Sequence, residues 1–473
     1  MERFSLRDLM QVTGGRLRDV DSADVRFDRI SIDSRDIRHG DVFWALKGEH
    51  HDGHDFASEA LERNARLCVI SADRANSVAG ASLIVDETLS ALGQFARWHR
   101  SRFDALIIGV TGSVGKTTTR ELIFAALSGQ YHGIRSRKNF NNLIGLPLSL
   151  LDLGPSHDFA VMEMGASQVG DIHELCDLAH PEVGVVTAIG PAHLQSFGSM
   201  AAIIQTKGEL LEQLPSTGFA VLPGDDNVLR QMADRAPCPV IFVGQGDDNQ
   251  IRATHVEAHA GSLCFRCEGH DFDIPVNGRH TLSNALSAIA IGLEIGISTR
   301  VLATGLAKFI PAPGRGGLIQ IGPWTVIDDT YNASPLSVAA SCRFLKEIMI
   351  PGAGQRLLVL GDMRELGPAA AFEHERIGNL AAELCFDRLL VCGDFAGDVA
   401  RGAKRNGMKA HQIAATNDTE TLLAILDCWL EPCDLLLVKG SRSTRMERVI
   451  DWLKIHAELR ERLQTTGQNR ICA

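Results

Sequence analysis

The run ALIIGVTGSVGKTT, residues 105 to 118, joins an apolar strand to a glycine loop that opens straight into a helix. Ala105 to Val110 has the aliphatic content of a buried strand, Thr111 to Lys116 forms the loop, and the residues beyond predict a helix through Leu127. Such a junction suits a polyphosphate. Gly112 and Gly115 let the backbone N–H groups of the loop, those of Ser113 and Val114 included, wrap an anion. The helix N-terminus at Lys116, Thr117 and Thr118 adds partial positive charge. Lys116 is placed to reach the outer phosphates and Thr117 to offer a hydroxyl to Mg²⁺. A strict P-loop would carry glycine at position 110, where this chain has Val110, so the loop is a shortened variant. The plainer alternative, a glycine turn with a solvated lysine, fits poorly between a strand and a helix.

Outward from this loop the same alternation continues. Apolar runs at Phe159 to Met162 and Val183 to Ile189, separated by helical stretches, predict a parallel sheet covered on both faces. Glu163 directly follows the first run and His193 lies in the loop after the second, so both belong to the sheet edge that carries the glycine loop. Each alone is more often a cap or a surface residue, but together with the glycine loop they favour a site. In the helical segment Met200 to Leu214, Ile204, Lys207, Leu211 and Leu214 form one apolar stripe. A lysine there is paired, neutralised or modified, or else its stem packs while its head reaches water. Asn284 lies on the predicted helix Thr281 to Ile295, turned away from the stripe Leu282, Leu286, Ile289 and Leu293. It is either a surface amide or one that reads a nucleotide base.

The stretch PAPGRGG, residues 311 to 317, breaks the chain and reads as a hinge, in which Arg315 is either a ligand or a solvated linker residue. Strands at Arg356 to Leu360, Arg388 to Val391 and Asp434 to Val438, with a helix at Glu373 to Glu383 among them, then predict a second doubly wound α/β unit. The first hundred residues mix short elements and leave through the charged run Arg97 to Arg102. Three α/β domains are expected: a small mixed one over 1–102, a P-loop-type parallel-sheet domain over 103–312 and a Rossmann-like domain over 313–473. The length of 473 residues agrees at about 150 residues per domain.

A formal charge of −11 has the wrong sign for a surface that binds nucleic acid. No apolar run approaches a membrane span, and Met1 to Gln11 carries charges where a signal peptide needs its apolar stretch, so a cytoplasmic protein is expected. The eleven cysteines, Cys68 to Cys472, then read as reduced and mostly buried, and the Cys264/Cys267 pair lies on a strand rather than at a metal site.

The segments TGSVGKTT, NFNNLIGLP (139 to 147), MEMGA (162 to 166), His193 with the later TKGEL, and NGRHTLSNALSA together resemble the Mur ligases. DDTYNASP (328 to 335), GDMRELG (361 to 367) and KGSRS (439 to 443) narrow the resemblance to the branch that adds a D-alanyl-D-alanine dipeptide. Motifs of neighbouring branches, DNPR and DGAHN, are absent, as are the NKxD of a guanine-nucleotide switch and the GxGxxG of a dinucleotide oxidoreductase. His280-Thr281 departs from the His-Asn common in the family.

The resemblance implies an ATP-dependent ligase that activates the carboxylate of UDP-N-acetylmuramoyl-tripeptide as an acyl phosphate and transfers it to the dipeptide amine. It implies Lys116 on the β- and γ-phosphates, Thr117 and Glu163 on one Mg²⁺, and His193 with a carbamylated Lys207 on a second. Asn284 is implied at adenine, Arg315 at the γ-phosphate and Asp329 at the ribose. Ser34, Arg35, Lys47 and Asn142 are implied for the UDP-muramoyl substrate, and Asn332, Lys439 and Ser441 for the dipeptide. A monomer without nucleic-acid or membrane partners is expected. The competing reading is a P-loop motor whose hydrolysis is indifferent to both substrates.

Overall fold

The computed structural model describes residues 3–48, 50–349, 352 and 354–468, with side chains through residue 460. A nine-stranded sheet organises the middle of the chain. Its strand Leu106–Thr111 lies between Phe159–Glu163 and Val183–Val186, parallel to both, with Glu163 beside Val110 in register. Gly133–Arg135 closes one edge in parallel. On the other side Phe219–Pro223, Val240–Gly244 and Ile251–His259 continue in parallel, after which Ser262–Cys267 and His270–Ile274 turn back as an antiparallel extension beyond the expected parallel core.

The strand expected over Val183 to Ile189 ends at Val186. The reason is local: Thr187 donates its hydroxyl to the carbonyl of Val114 at 2.5 Å, so the chain leaves the sheet to buttress the glycine loop. The helix Lys116–Leu127 buries Leu122, Ile123, Ala126 and Leu127 in one layer with Leu282, Leu286 and Ile289 of the helix Leu282–Glu294.

On the opposite face the helix Thr88–Arg100 packs Leu92 and Phe95 into an apolar cluster that holds both Trp44 of the first hundred residues and Ile107 of the central sheet. The charged run Arg97 to Arg102 is therefore more than an exit. Arg100 is buried, donating to the carbonyl of Ala179 at 3.1 Å and to Glu182 at 3.1 Å. The first hundred residues carry a five-stranded sheet. The last segment carries a six-stranded one, in which Trp324–Asp329, Leu435–Lys439, Arg356–Gly361, Arg388–Cys392 and Ile413–Thr416 run parallel and Gly317–Ile321 is an antiparallel edge.

The cysteines are less buried than expected. Among the ten described, Cys68, Cys176, Cys267, Cys342 and Cys392 are buried, whereas Cys385, Cys428 and Cys433 are exposed, and Cys472 lies outside the described residues. Cys264 and Cys267, three apart on one strand, point to opposite faces of the sheet and do not converge on one ion. Among the described residues no helix is long and apolar enough to cross a membrane.

Candidate active site

The glycine loop is fastened from below. Ser113 donates through Oγ to the carbonyl of Gly190 at 2.8 Å and accepts from the Gly190 N–H at 3.0 Å. Gly112 has φ +143, and a Cβ there would stand 2.1 Å from Thr187 Oγ1. Gly115, at φ +87, opens the helix Lys116–Leu127 without a side-chain cap, so its first N–H groups stay available to an anion. Lys116 Nζ folds back onto the carbonyl of Gly112 at 2.7 Å. Burial pushes its ammonium below the ordinary lysine range and Arg315 repels it, while Glu163 acts the other way. An anion's negative charge would relieve both unfavourable effects.

Glu163 lies at the bottom of the site and is 2% exposed. Its Oε2 accepts from Thr117 Oγ1 at 2.9 Å and from Arg120 Nη1 at 3.1 Å, and its Oε1 from Asn141 Nδ2 at 2.8 Å. Sequence reading brought Thr117 and Glu163 together and missed Arg120 and Asn141. Arg120 is legible in hindsight, four residues from Lys116 on the same helix face. Asn142, chosen in place of its neighbour, lines the cavity but uses its Oδ1 to cap the turn at Ile144 and Gly145. A carboxylate and a hydroxyl oxygen beside a phosphate-binding loop are hard donors of the kind Mg²⁺ takes, so the residues fit that ion.

His193 starts the short helix Leu194–Phe197 with a left-handed backbone, φ 54. Its Nδ1 pairs with Glu365 of the last segment, whose backbone carbonyl also accepts from the Gln195 N–H at 3.0 Å. Lys207 is 2% exposed, with Nζ 5.6 Å from the centre of the Phe197 ring, so the head does not reach bulk water as the bland alternative requires. Burial first, then repulsion from Lys116, pushes its pKa down to about 7, against the partial support of Asp171 and Glu209. At neutral pH much of Lys207 is therefore a free amine.

The last segment closes over the loop and bounds, with it, a cavity of about 1260 Å³. Arg315 reaches across with Nη2 3.3 Å from Thr117 Oγ1 and stacks 3.8 Å over the Tyr331 ring, which sets aside the solvated linker. Asn284 is buried against Gly115, and a Cβ on that glycine would meet its amide at 3.2 Å, which sets aside the surface amide. Thr118, His280 and Asn332 also line the cavity.

Asp329 accepts from Lys439 Nζ at 2.5 Å and from Ser341 Oγ at 2.6 Å. Lys439 is 2% exposed and also donates to the carbonyl of Asn332 at 3.0 Å, so its charge is engaged inside the protein and holds Asp329 in place. Ser441 Oγ accepts from the Arg364 N–H at 2.8 Å.

Three expected residues lie away from this cavity. Ser34 is buried against Glu59 at 3.1 Å, Arg35 pairs with Asp33, and Lys47 is exposed on a turn bridged to Asp52.

Known proteins match this arrangement along the chain. A model of the Mur ligase middle domain matches residues 110–292, the Mur ligase glutamate ligase domain residues 314–442, and the Mur ligase family catalytic domain residues 26–98. The chain is 33% identical over 457 residues to the UDP-N-acetylmuramoyl-tripeptide–D-alanyl-D-alanine ligase of Escherichia coli (strain K12), covering 95% of this chain and 98% of that one. It is similar to a crystal structure of MurF from Acinetobacter baumannii, with TM-score 0.88 and 31% identity over 96% of this chain and 99% of that one. It is also similar to MurF ligase from Thermotoga maritima in complex with ADP, with TM-score 0.79 and 29% identity over 91% and 98% of the two chains. Matched along nearly its whole length, the chain belongs to the Mur ligase family, in the branch of the UDP-N-acetylmuramoyl-tripeptide–D-alanyl-D-alanine ligases.

Proposed function

We propose that this chain joins D-alanyl-D-alanine to the terminal carboxylate of UDP-N-acetylmuramoyl-tripeptide, converting ATP to ADP and phosphate, as a cytoplasmic monomer. The observation that carries the reading is the contact between Arg315 of the hinge and Thr117 of the glycine loop. It puts a phosphate loop and an opposing segment around one cavity, as a reaction that must activate one substrate and present a second requires. The segments 1–102, 103–312 and 313–473 then divide the work into UDP-muramoyl recognition, ATP binding, and dipeptide binding with closure.

A carboxylate is too poor an electrophile for an amine, so its oxygen attacks the γ-phosphorus, ADP leaves, and the acyl phosphate is opened by the dipeptide amine with loss of phosphate. Lys116 turns from the Gly112 carbonyl to the β- and γ-phosphates, the loop N–H groups hold them, and Arg315 meets the charge of the transferred group. Thr117 and Glu163 would hold one Mg²⁺, with Arg120 and Asn141 fixing the carboxylate. Bound there, the ion would neutralise phosphate charge that otherwise repels the incoming carboxylate.

Lys207 as a free amine attacks CO₂ and sheds a proton to become a carbamate anion. With His193, whose Nδ1 already pairs with a carboxylate, it would serve a second ion. Asn284 serves adenine and Asp329 the ribose. Ser34, Arg35, Lys47 and Asn142 serve the muramoyl nucleotide, Asn332 and Ser441 the dipeptide, and Lys439 acts through Asp329. Last-segment residues over the cavity keep water from the acyl phosphate.

Phosphate release measured with each substrate omitted in turn tests the reading: the ligase requires both. Release indifferent to both would return the chain to the class of P-loop motors.

A further inference from the structure

The hinge that carries Arg315 is fastened mainly to one side. Gly314 accepts through its carbonyl from the Tyr331 N–H at 3.1 Å, and the Gly316 N–H donates to the carbonyl of Asp328 at 2.8 Å. Both partners belong to the last segment, so the hinge backbone travels with that segment. Gly314 and Gly316 have φ +72 and +75, left-handed positions where the chain turns sharply. Among the described residues, one side chain from the central sheet region bonds to the hinge backbone. Asn277 Nδ2 donates to the carbonyl of Gly316 at 2.6 Å, the residue directly after Arg315.

The other end of the same amide is also fixed. Asn277 Oδ1 accepts from the N–H of Gly261 at 3.0 Å, at the tip of the hairpin joining Ile251–His259 to Ser262–Cys267. Because Oδ1 must accept from that N–H, Nδ2 must face Gly316, and the amide has one productive orientation. The antiparallel extension of the central sheet thereby gains a purpose. It supplies a rigid anchor from which a side chain reaches the pivot of the last segment.

We infer that Asn277 is a positioning residue for the ligase reaction: its amide clamps the hinge at Gly316 so that Arg315 is delivered to the phosphate end of the site. This rests on the proposed ligase reading for its kinetic consequence and on geometry alone for its structural one. Asn277→Asp is the sharp variant, because it keeps the size and the acceptor for Gly261 while turning a carboxylate oxygen toward the Gly316 carbonyl.

Two measurements test it. Hydrogen–deuterium exchange of residues 311–317 needs no turnover, and Asn277→Asp should exchange there faster than the native protein while the strands of both flanking sheets keep their native rates. In the ligation assay the variant should lose about tenfold in kcat with KM for ATP and for both other substrates little changed. In an Arg315→Ala background the same substitution should have little further effect, since the residue it positions is gone. Native hinge exchange in the variant overturns the inference, as does a full loss of kcat that persists in the Arg315→Ala background or a change confined to KM. If exchange at the hinge rises while the native protein shows no substrate-dependent phosphate release, the clamp stands and the ligase reading falls. Native thermal stability of Asn277→Asp separates clamping from general unfolding, and Asn277→Ser, which removes the reach but adds no charge, should reproduce the exchange increase.

Discussion

At Lys207 an ammonium group and its surroundings are at odds. The unfolded chain binds this proton with a pKa of 10.5 and the folded one with a pKa of about 7, because burial and Lys116 both disfavour the charge. Between these values the unfolded state holds a proton that the native state has shed, so stability rises with pH across pH 7 to 10.5. Below that window both states are protonated and the full penalty applies. Lys207→Met, free of carbonate and metal, should flatten this slope and be more stable near neutrality by up to a few kcal/mol, roughly, in denaturant titrations at several pH values. Depleting bicarbonate should lower ligase activity reversibly in the native enzyme and leave Lys207→Ala equally poor with or without it. An active Lys207→Ala variant would show that the amine only packs. Lys116→Ala should fold normally and lose ligation by about a thousandfold or more, checked by circular dichroism and product formation.

The misplacement of Lys207 was legible because the helix period sets it on a line with Leu211 and Leu214. The partners of Glu163 were not, since Arg120 and Asn141 lie 43 and 22 residues away and meet it only in the fold.

The elements around the glycine loop carry their own tests. At Gly112 both conformation and space forbid a side chain, since φ is +143 and Thr187 Oγ1 occupies the Cβ position. Gly112→Ala should destabilise the protein by about 3 kcal/mol or more and abolish nucleotide binding, read by thermal unfolding with and without ADP. Arg315→Ala should reduce kcat by about a hundredfold with little change in KM, because its contact completes the site only when the last segment has closed. A fall in substrate binding at unchanged kcat would assign the arginine to recognition instead.

Strand, loop and helix were readable here because each is encoded within a dozen neighbouring residues. Lys439 was not. The resemblance implies it at the dipeptide, and the strands Trp324–Asp329 and Leu435–Lys439 lie side by side with Asp329 and Lys439 in register, so the pair neutralises itself. The end of the strand at Val186 was equally hidden, because the use of Thr187 is a contact with Val114 and not a property of its own segment.

At the scale of the whole molecule, contacts such as those of His193 with Glu365 and of Arg315 with Thr117 hold the last segment against the middle one. Neither was visible in sequence, where the partners are separated by much of the chain, although the hinge between them and the three α/β units were. A site shared across such a junction exists only while the segments are closed, and that closure would keep the proposed acyl phosphate from water. Specificity follows from the same geometry. A pocket built for a dipeptide leaves polar groups unpaired when half the ligand is missing, so D-alanine alone or glutamate should be transferred far less efficiently than D-alanyl-D-alanine, by product analysis of an amine panel.

The central claim is that phosphate release and amide bond formation are one process in one cavity. The direct measurement incubates the purified protein with Mg²⁺ and ATP, UDP-N-acetylmuramoyl-tripeptide and D-alanyl-D-alanine, and counts phosphate against ligated product by mass spectrometry, with each substrate omitted in turn. The account predicts phosphate and product in equal amounts, and neither beyond background when the muramoyl peptide or the dipeptide is left out. Phosphate released at full rate without them, or released in their presence with no new amide bond, would contradict it.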